Sequence, residues 1–212
     1  MQMVIGTMKW STWSMRPWLV ARRAGVQTED IVVPLRAPET SLRLEAFSPS
    51  AQCPVLIDGG VTVWDSLAIC EYLAERFPEA RLWPEDAAAR AQGRAAAAQM
   101  HGGFASLRGE CSMDLSAPIE ALELTEATAK DVAKLVRLWS MLLTRHGGPY
   151  LLGRAWSIAD AFYTPVATRI RTYAIDLAAH GDADGACAAY AARLLTEPEF
   201  LEWERRALSA PA

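Results

Sequence analysis

Along the first eighty residues, short apolar runs alternate with stretches whose apolar positions recur every three or four residues, the two periodicities that separate strands from helices. Met3-Val4-Ile5-Gly6-Thr7-Met8 is an apolar run suited to a buried strand, and the polar Ser11-Thr12-Trp13-Ser14 follows it as a turn. From Arg16 to Ala24, the apolar Leu19, Val20 and Ala24 fall at helical spacing, with Gly25 where a helix ends. Ile31-Val32-Val33 predicts a second strand, so the chain opens as a β-α-β unit expected to be right-handed and parallel. Pro38 to Phe47 predicts a short helix closed by Ser48-Pro49. Val55-Leu56-Ile57 and Val61-Thr62-Val63 flank Asp58-Gly59-Gly60, the pattern of an antiparallel hairpin. Asp65-Ser66 leads into helically spaced apolar residues from Leu67 to Leu73, one of the two polar residues serving as the cap. The predicted order is βαβαββα, followed by a linker from Pro78 to Pro84.

Beyond about residue 85 the β-branched clusters thin out and Ala, Leu, Arg and Glu take over. The shift predicts an α/β domain over 1–82 and an all-helical domain over 88–212. Residues 86–107 read as one Ala-rich helix, Thr125 to His146 as a second that ends at Gly147-Gly148-Pro149, and Ser157 to Tyr173 as a third. Shorter helices over 185–196 and 198–208 complete the half. Ser157-Ile158-Ala159-Asp160 has the spacing of a capping box, a hydroxyl at the cap and a carboxylate three residues on.

Composition narrows the function classes. With 212 residues, 51% hydrophobic and 22% charged, the chain has ample material for a core. Lys+Arg 21 against Asp+Glu 25 leave a net charge of -4, which argues against nucleic acid or an anionic membrane as partner. Charges interrupt every apolar stretch and the N-terminus lacks a leader pattern, so neither a membrane span nor a signal peptide is expected. Cys53, Cys70, Cys111 and Cys187 are widely spaced, without a CxxC pair, which predicts free thiols in a reducing cytoplasm rather than disulfides or structural zinc. Three scattered histidines, with no HExxH, Walker, GxSxG or Rossmann fingerprint, weigh against metal, phosphate and serine-hydrolase chemistry.

Three places carry candidate chemistry. The hydroxyls of Ser11, Thr12 and Ser14 fall where the first strand hands over to the first helix; they serve either as caps or as donors to an anion or thiolate. Pro54, directly before a strand, is either a trans turn residue or a cis-proline. Asp65 and Ser66 are either a helix cap or a seat for an incoming carboxylate at a helix start.

Ser11-Thr12-Trp13-Ser14-Met15-Arg16, Ser48-Pro49-Ser50-Ala51-Gln52-Cys53-Pro54-Val55-Leu56 and Asp65-Ser66-Leu67-Ala68-Ile69 resemble, in order and spacing, the cytosolic glutathione transferases, most closely the serine-type bacterial and zeta-like branch. Tyr150-Leu151-Leu152-Gly153 with Ser157-Ile158-Ala159-Asp160 is similar to the buried capping motif of that family, and Met100-His101-Gly102-Gly103-Phe104 with Leu107-Arg108 to the fourth helix of a bacterial subgroup. The resemblance spans essentially the whole chain. It implies a thioredoxin-like first domain that binds glutathione as cosubstrate, an all-α second domain that supplies the electrophile pocket, no metal, and a homodimer.

Residue by residue, the resemblance assigns Ser11 to the glutathione sulfur, the Cys53 backbone to the cysteinyl part, Pro54 to the cis-proline, Asp65 and Ser66 to the γ-glutamyl end and Gln52 to the glycyl arm. His101, Phe104 and Arg108, at helical spacing, are the candidates for the electrophile side; Phe104 serves there or in the core, Arg108 there or as a surface charge. The implied activity is transfer of the glutathione thiolate to a small hydrophobic electrophile. The alternatives are isomerisation of the maleylacetoacetate type, or a transferase-like carrier without catalysis. Two departures weigh against the isomerase: Trp13 replaces a cysteine, and Thr172 stands where an arginine is expected, with Arg169 and Arg171 close by. Trp13 also removes the thiol that would form a mixed disulfide at that site, and Cys53 is expected to present its backbone rather than its sulfur.

Overall fold

The computed structural model describes residues 1–209. Strand β1 (Gln2–Gly6) runs parallel to β2 (Glu29–Val33) and antiparallel to β3 (Val55–Asp58), which turns into β4 (Val61–Trp64), giving the sheet order β2-β1-β3-β4. The β-α-β opening and the hairpin are both as the pattern predicts, with Asp58 paired to Val61 and Gly59 at φ 59°, a backbone that a side chain would strain. Helices α1 (Thr12–Arg23) and α3 (Ser66–Arg76) cover one face of the sheet, while α2 (Thr40–Glu45) closes a small apolar layer of Val4, Val33, Leu44 and Val55 on the other.

α1 begins four residues earlier than its apolar spacing suggests. The hydroxyl-rich segment read as a turn is its first turn, with Ser11 as the cap that accepts from the Ser14 amide. α1 is also buried on every side rather than along one stripe, because its polar Thr12, Ser14 and Arg16 are as enclosed as Met15, Trp18, Leu19 and Val20.

The second half contains α4 (Ala87–Gly102), α5 (Ala105–Glu110), α6 (Glu126–His146), α7 (Ile158–Thr172), α8 (Ala186–Leu194) and α9 (Pro198–Ser209). The single helix expected over 86–107 is two: Phe104 at φ 54° breaks it, and α5 restarts with its Ser106 and Leu107 amides held by the Asp131 carboxylate. Among the described residues no helix is long and apolar enough to cross a membrane.

The two halves share one core. The Trp203 ring N–H on α9 donates to the Met8 carbonyl at 3.1 Å, and the ring lies edge-on to Trp18 of α1 at 5.2 Å. Arg23 of α1 pairs with Glu197 and Glu199 at 2.6 and 2.8 Å, and Arg206 of α9 reaches buried Asp30 at 2.7 Å.

The capping box at α7 forms as predicted and does more than cap. The Asp160 carboxylate accepts from the Ser157 amide and hydroxyl, the Leu151 amide and the Tyr190 hydroxyl, at 2.8 to 3.2 Å, tying α7 to the preceding turn and to α8. Burial nevertheless pushes this carboxyl up to about 6, against those four donors. A folded-state value above the ~3.9 of an unfolded Asp means that the native state favours the proton. The stabilisation from this group is therefore full at low pH and is lost as pH rises through about 6. Asp160→Asn does not titrate, so the stability gap between the protein and this variant should shrink by about 3 kcal/mol from about pH 4 to about pH 7, measured by chemical denaturation. A gap that does not change with pH would mean that the carboxyl titrates alike in both states.

Candidate functional site

The strand-to-helix transition after β1 places Ser11 at the mouth of a cavity of about 630 Å³ between the sheet edge and α4. Gln52, Cys53, Pro54, Asp65, Ser66 and His101 line the same cavity, so all five residues expected to hold glutathione stand together with Ser11. The Cys53–Pro54 peptide bond is cis.

Each group has a partner that limits what it can do. Ser11 donates its hydroxyl to Ser14 Oγ at 2.7 Å, and Ser14 Oγ in turn accepts from the Gly6 amide at 3.1 Å. Ser14 is fully enclosed and does not line the cavity, whereas Ser11 and Thr12 do. Asp65 caps α3: its Oδ1 accepts from the Leu67 and Ala68 amides at 2.8 and 3.2 Å, and its backbone sits at φ 77°. Its second oxygen faces His101 Nε2 at 3.2 Å. Ser66 is 1% exposed and its hydroxyl has no partner among the described residues, the signature of a buried polar group awaiting a ligand.

A second cavity of about 440 Å³ adjoins the first, sharing Trp10, Thr12 and Trp13, and is lined by Arg36, Arg108 and Arg169. Arg108 thus reaches a pocket, as its spacing suggested, and stacks on Trp13 at 5.0 Å. Phe104 does not. It is buried in the core at the break between α4 and α5, because the left-handed backbone there turns it inward. The sequence reading missed Arg36 and Arg16. Arg16 is 1% exposed, sandwiched between Trp13 at 4.3 Å and Phe162 at 4.8 Å, and its Nε and Nη1 lack acceptors among the described residues. Burial and then Arg169 and Arg108 lower its pKa to about 9; burial and Arg108 lower Arg169 to about 10. Arg169 hydrogen-bonds the Cys111 and Pro165 carbonyls, whereas Arg171 turns away to Glu204 at 2.5 Å.

Cys53 is half-buried and lines the first cavity together with Ser11; burial raises its thiol pKa, and the Ser14 and Ser11 hydroxyls oppose that rise.

Residues 10–76 match the family model described as the glutathione S-transferase N-terminal domain. A probable maleylacetoacetate isomerase from Caenorhabditis elegans is 28% identical over 78% of this chain and 77% of its own length. Among solved structures, a maleyl pyruvate isomerase, described as a bacterial glutathione S-transferase of the zeta class, superposes with a TM-score of 0.76 over 100% of both chains at 23% identity. A glutathione transferase homolog from Burkholderia gl BGR1 with bound glutathione superposes with a TM-score of 0.73 over 99% of this chain and 98% of that one, at 21% identity. The fold is the one these structures share, a thioredoxin-like first domain followed by a helical second one, and residues 10–76 carry the glutathione S-transferase N-terminal domain.

Burial, more than the arginines around it, sets the charge state of His101. Burial lowers its pKa first, Asp65 opposes that, and Arg16 and Arg108 lower it further, so the net shift is downward and the ring is neutral at pH 7. In an NMR titration, His101 should show a midpoint below the ~6.5 of a free imidazole, and Asp65→Asn should lower it further. An upward move in that variant would show that the carboxylate does not face the ring.

Proposed function

We propose that this protein is a glutathione transferase in which Ser11 stabilises the thiolate of bound glutathione for attack on a small electrophile seated in the adjoining cavity. The observation that carries the reading is the Ser11 hydroxyl at the start of α1, in one cavity with the Gln52–Pro54 edge and the unpartnered Ser66 hydroxyl. A free thiol titrates near about 8.5, so little of it is thiolate at neutral pH. Hydroxyl protons rotate to suit their acceptors. When a sulfur anion occupies the groove, Ser11 turns its proton to the sulfur while Ser14 reverses and donates into Ser11, with the Gly6 amide still on Ser14 Oγ. The chain of donors polarises Ser11 toward the anion, and the N-terminal end of α1 adds a positive field. Ser66 and Gln52 bind the peptide's polar ends; Asp65, already committed to α3 and His101, positions that helix start.

The second cavity favours a particular electrophile. Arg36, Arg108 and Arg169 bring three cations to a site next to Trp13, which suits a planar, carboxylate-bearing compound. That arrangement supports isomerisation of the maleylacetoacetate type as a second reading, since Arg169 supplies the cation that Thr172 lacks. The thiolate would add to an activated double bond, the bond would rotate while single, and elimination would return glutathione. In transfer the adduct is the product. A carrier without catalysis is the weakest of the three, because it leaves the Ser11–Ser14–Gly6 chain without a use. Free Cys53, Cys70, Cys111 and Cys187 fit a reducing cytoplasm, and we assign the protein there, as a homodimer in detoxification or catabolism.

An ultraviolet thiolate titration of bound glutathione should give a midpoint about two units below the free thiol, returning toward it in Ser11→Ala, with the thiolate fraction at pH 7, and turnover with it, falling about 25-fold if both units are lost. Saturable binding with an unshifted midpoint would leave a binding module. Arg169→Leu should cut kcat/KM about tenfold or more for a carboxylated electrophile and leave a neutral analogue nearly unaffected, since a charge-assisted contact is worth about 1.5–3 kcal/mol. Equal losses on both would place Arg169 in the scaffold instead.

A further inference from the structure

We propose that Cys53 is a glutathionylation site, at which a glutathione disulfide docked in the first cavity is captured as a mixed disulfide that blocks the groove until it is reduced. The proposal rests on the glutathione reading given above.

Cys70, Cys111 and Cys187 are fully buried and line neither the first cavity nor its neighbour, whereas Cys53 lines the first beside Ser11. Its side chain lies between the apolar layer under α2 and the hydroxyl pair Ser11–Ser14. A ligand sulfur placed for donation from Ser11 therefore stands next to a second, protein-borne sulfur. The same cavity is lined by Ser66 and His101, whose hydroxyl and Nδ1 are buried and unpartnered among the described residues. These polar atoms fix a peptide-like ligand by its ends and hold its middle across Cys53. Burial keeps the Cys53 thiol protonated at neutral pH, although Ser14 and Ser11 oppose that shift. It therefore does not compete with the glutathione thiolate for electrophiles, while a disulfide held against it needs only the minor thiolate form.

The exchange balances without a further reactant. The Cys53 thiol sheds its proton to solvent, and its sulfur lone pair attacks the near sulfur of the disulfide. The scissile sulfur–sulfur pair leaves with the distal half, which takes up a proton and departs as glutathione. Cys53 is oxidised and the departing sulfur reduced; a later glutathione thiolate reverses the step.

The test uses the full chain, reduced and freed of small thiols, incubated with glutathione disulfide or with bis(2-hydroxyethyl) disulfide. Adducts are followed by intact mass and located by peptide mapping, and binding of reduced glutathione is measured separately by calorimetry. The expected result is one glutathionyl group, on Cys53, formed at least about tenfold faster than the hydroxyethyl adduct because docking raises the local concentration. Ser66→Ala should slow only the glutathione disulfide reaction, Cys53→Val should take up no glutathionyl group, and calorimetric capacity should fall in step with the adduct and return on reduction. Equal rates with the two disulfides, modification of another cysteine, or no adduct in a protein that binds reduced glutathione would each overturn the proposal. No binding of reduced glutathione would sink the glutathione reading itself, and this proposal with it.

Discussion

Everything at the site depends on the burial of α1. Met15, Trp18, Leu19, Val20 and Ala21 are at most 1% exposed, held by the sheet and α3 on one side and by α7 and α9 on the other. Burying one large apolar side chain contributes about 1.5–3 kcal/mol, so this helix alone supplies hydrophobic stabilisation of the order of a domain's net stability. The consequence is geometric as much as energetic. A helix that forms part of both halves' core cannot slide without opening both, so its first turn, Ser11 to Ser14, stands at a fixed place between the groove and the second cavity. Trp18 and Trp203 lock the far end, and the Trp203 hydrogen bond to Met8 ties α9 to the segment that enters α1.

That placement carries an electrostatic cost. Arg16 is buried near the positive end of α1, stacked on Trp13 and Phe162, close enough to Arg169 and Arg108 for each to lower its pKa, and short of acceptors. Dispersion against two aromatic faces and the cation–π attraction offset part of the desolvation, yet a like-charged cluster without matching carboxylates is destabilising on its own. Asp65 is the carboxylate that acts on Arg16, and it is already shared between α3 and His101. An anionic ligand between the two cavities would relieve this repulsion, and a thiolate beside Ser11 or a carboxylate beside Arg108 and Arg169 has that sign. The same field that destabilises the arginine cluster favours the charged form of any anionic ligand placed beside it.

Much of this was legible in the sequence, and the exceptions share a cause. The strands, the Asp58-Gly59-Gly60 hairpin and the Ser157–Asp160 box follow from local periodicity and turn chemistry, which act within a few residues. The start of α1 was missed because its capping hydroxyls look like turn residues until the helix is seen to be enclosed on all sides. The break at Phe104 needs a left-handed residue that no apolar spacing announces, and the break sends Phe104 into the core and Arg108 toward Trp13. Arg36 and Arg169 lie 133 residues apart and meet at the second cavity only because α7 packs against α1, a tertiary fact with no local trace. Cys53 shows what a motif leaves open: the matched position implies a backbone role, and the residue that occupies it here brings a thiol to the same cavity lining as Ser11.

Capping and the proposed thiolate contact use the same atoms in this chain. Ser11 caps α1 through a long 3.4 Å contact with the Ser14 amide, and its stronger bond is to the Ser14 hydroxyl at 2.7 Å. A cap of that kind is easily shared, because Ser11 Oγ retains acceptor capacity while its proton is free to turn. Asp65 divides its labour likewise, one oxygen on the α3 amides and the other on His101. Helix starts are where unsatisfied donors collect and where the dipole is positive. Two helix starts opening on one cavity therefore make an anion site out of groups the fold requires anyway, and the Ser66 hydroxyl and His101 Nδ1, both buried there without partners among the described residues, are left for a ligand.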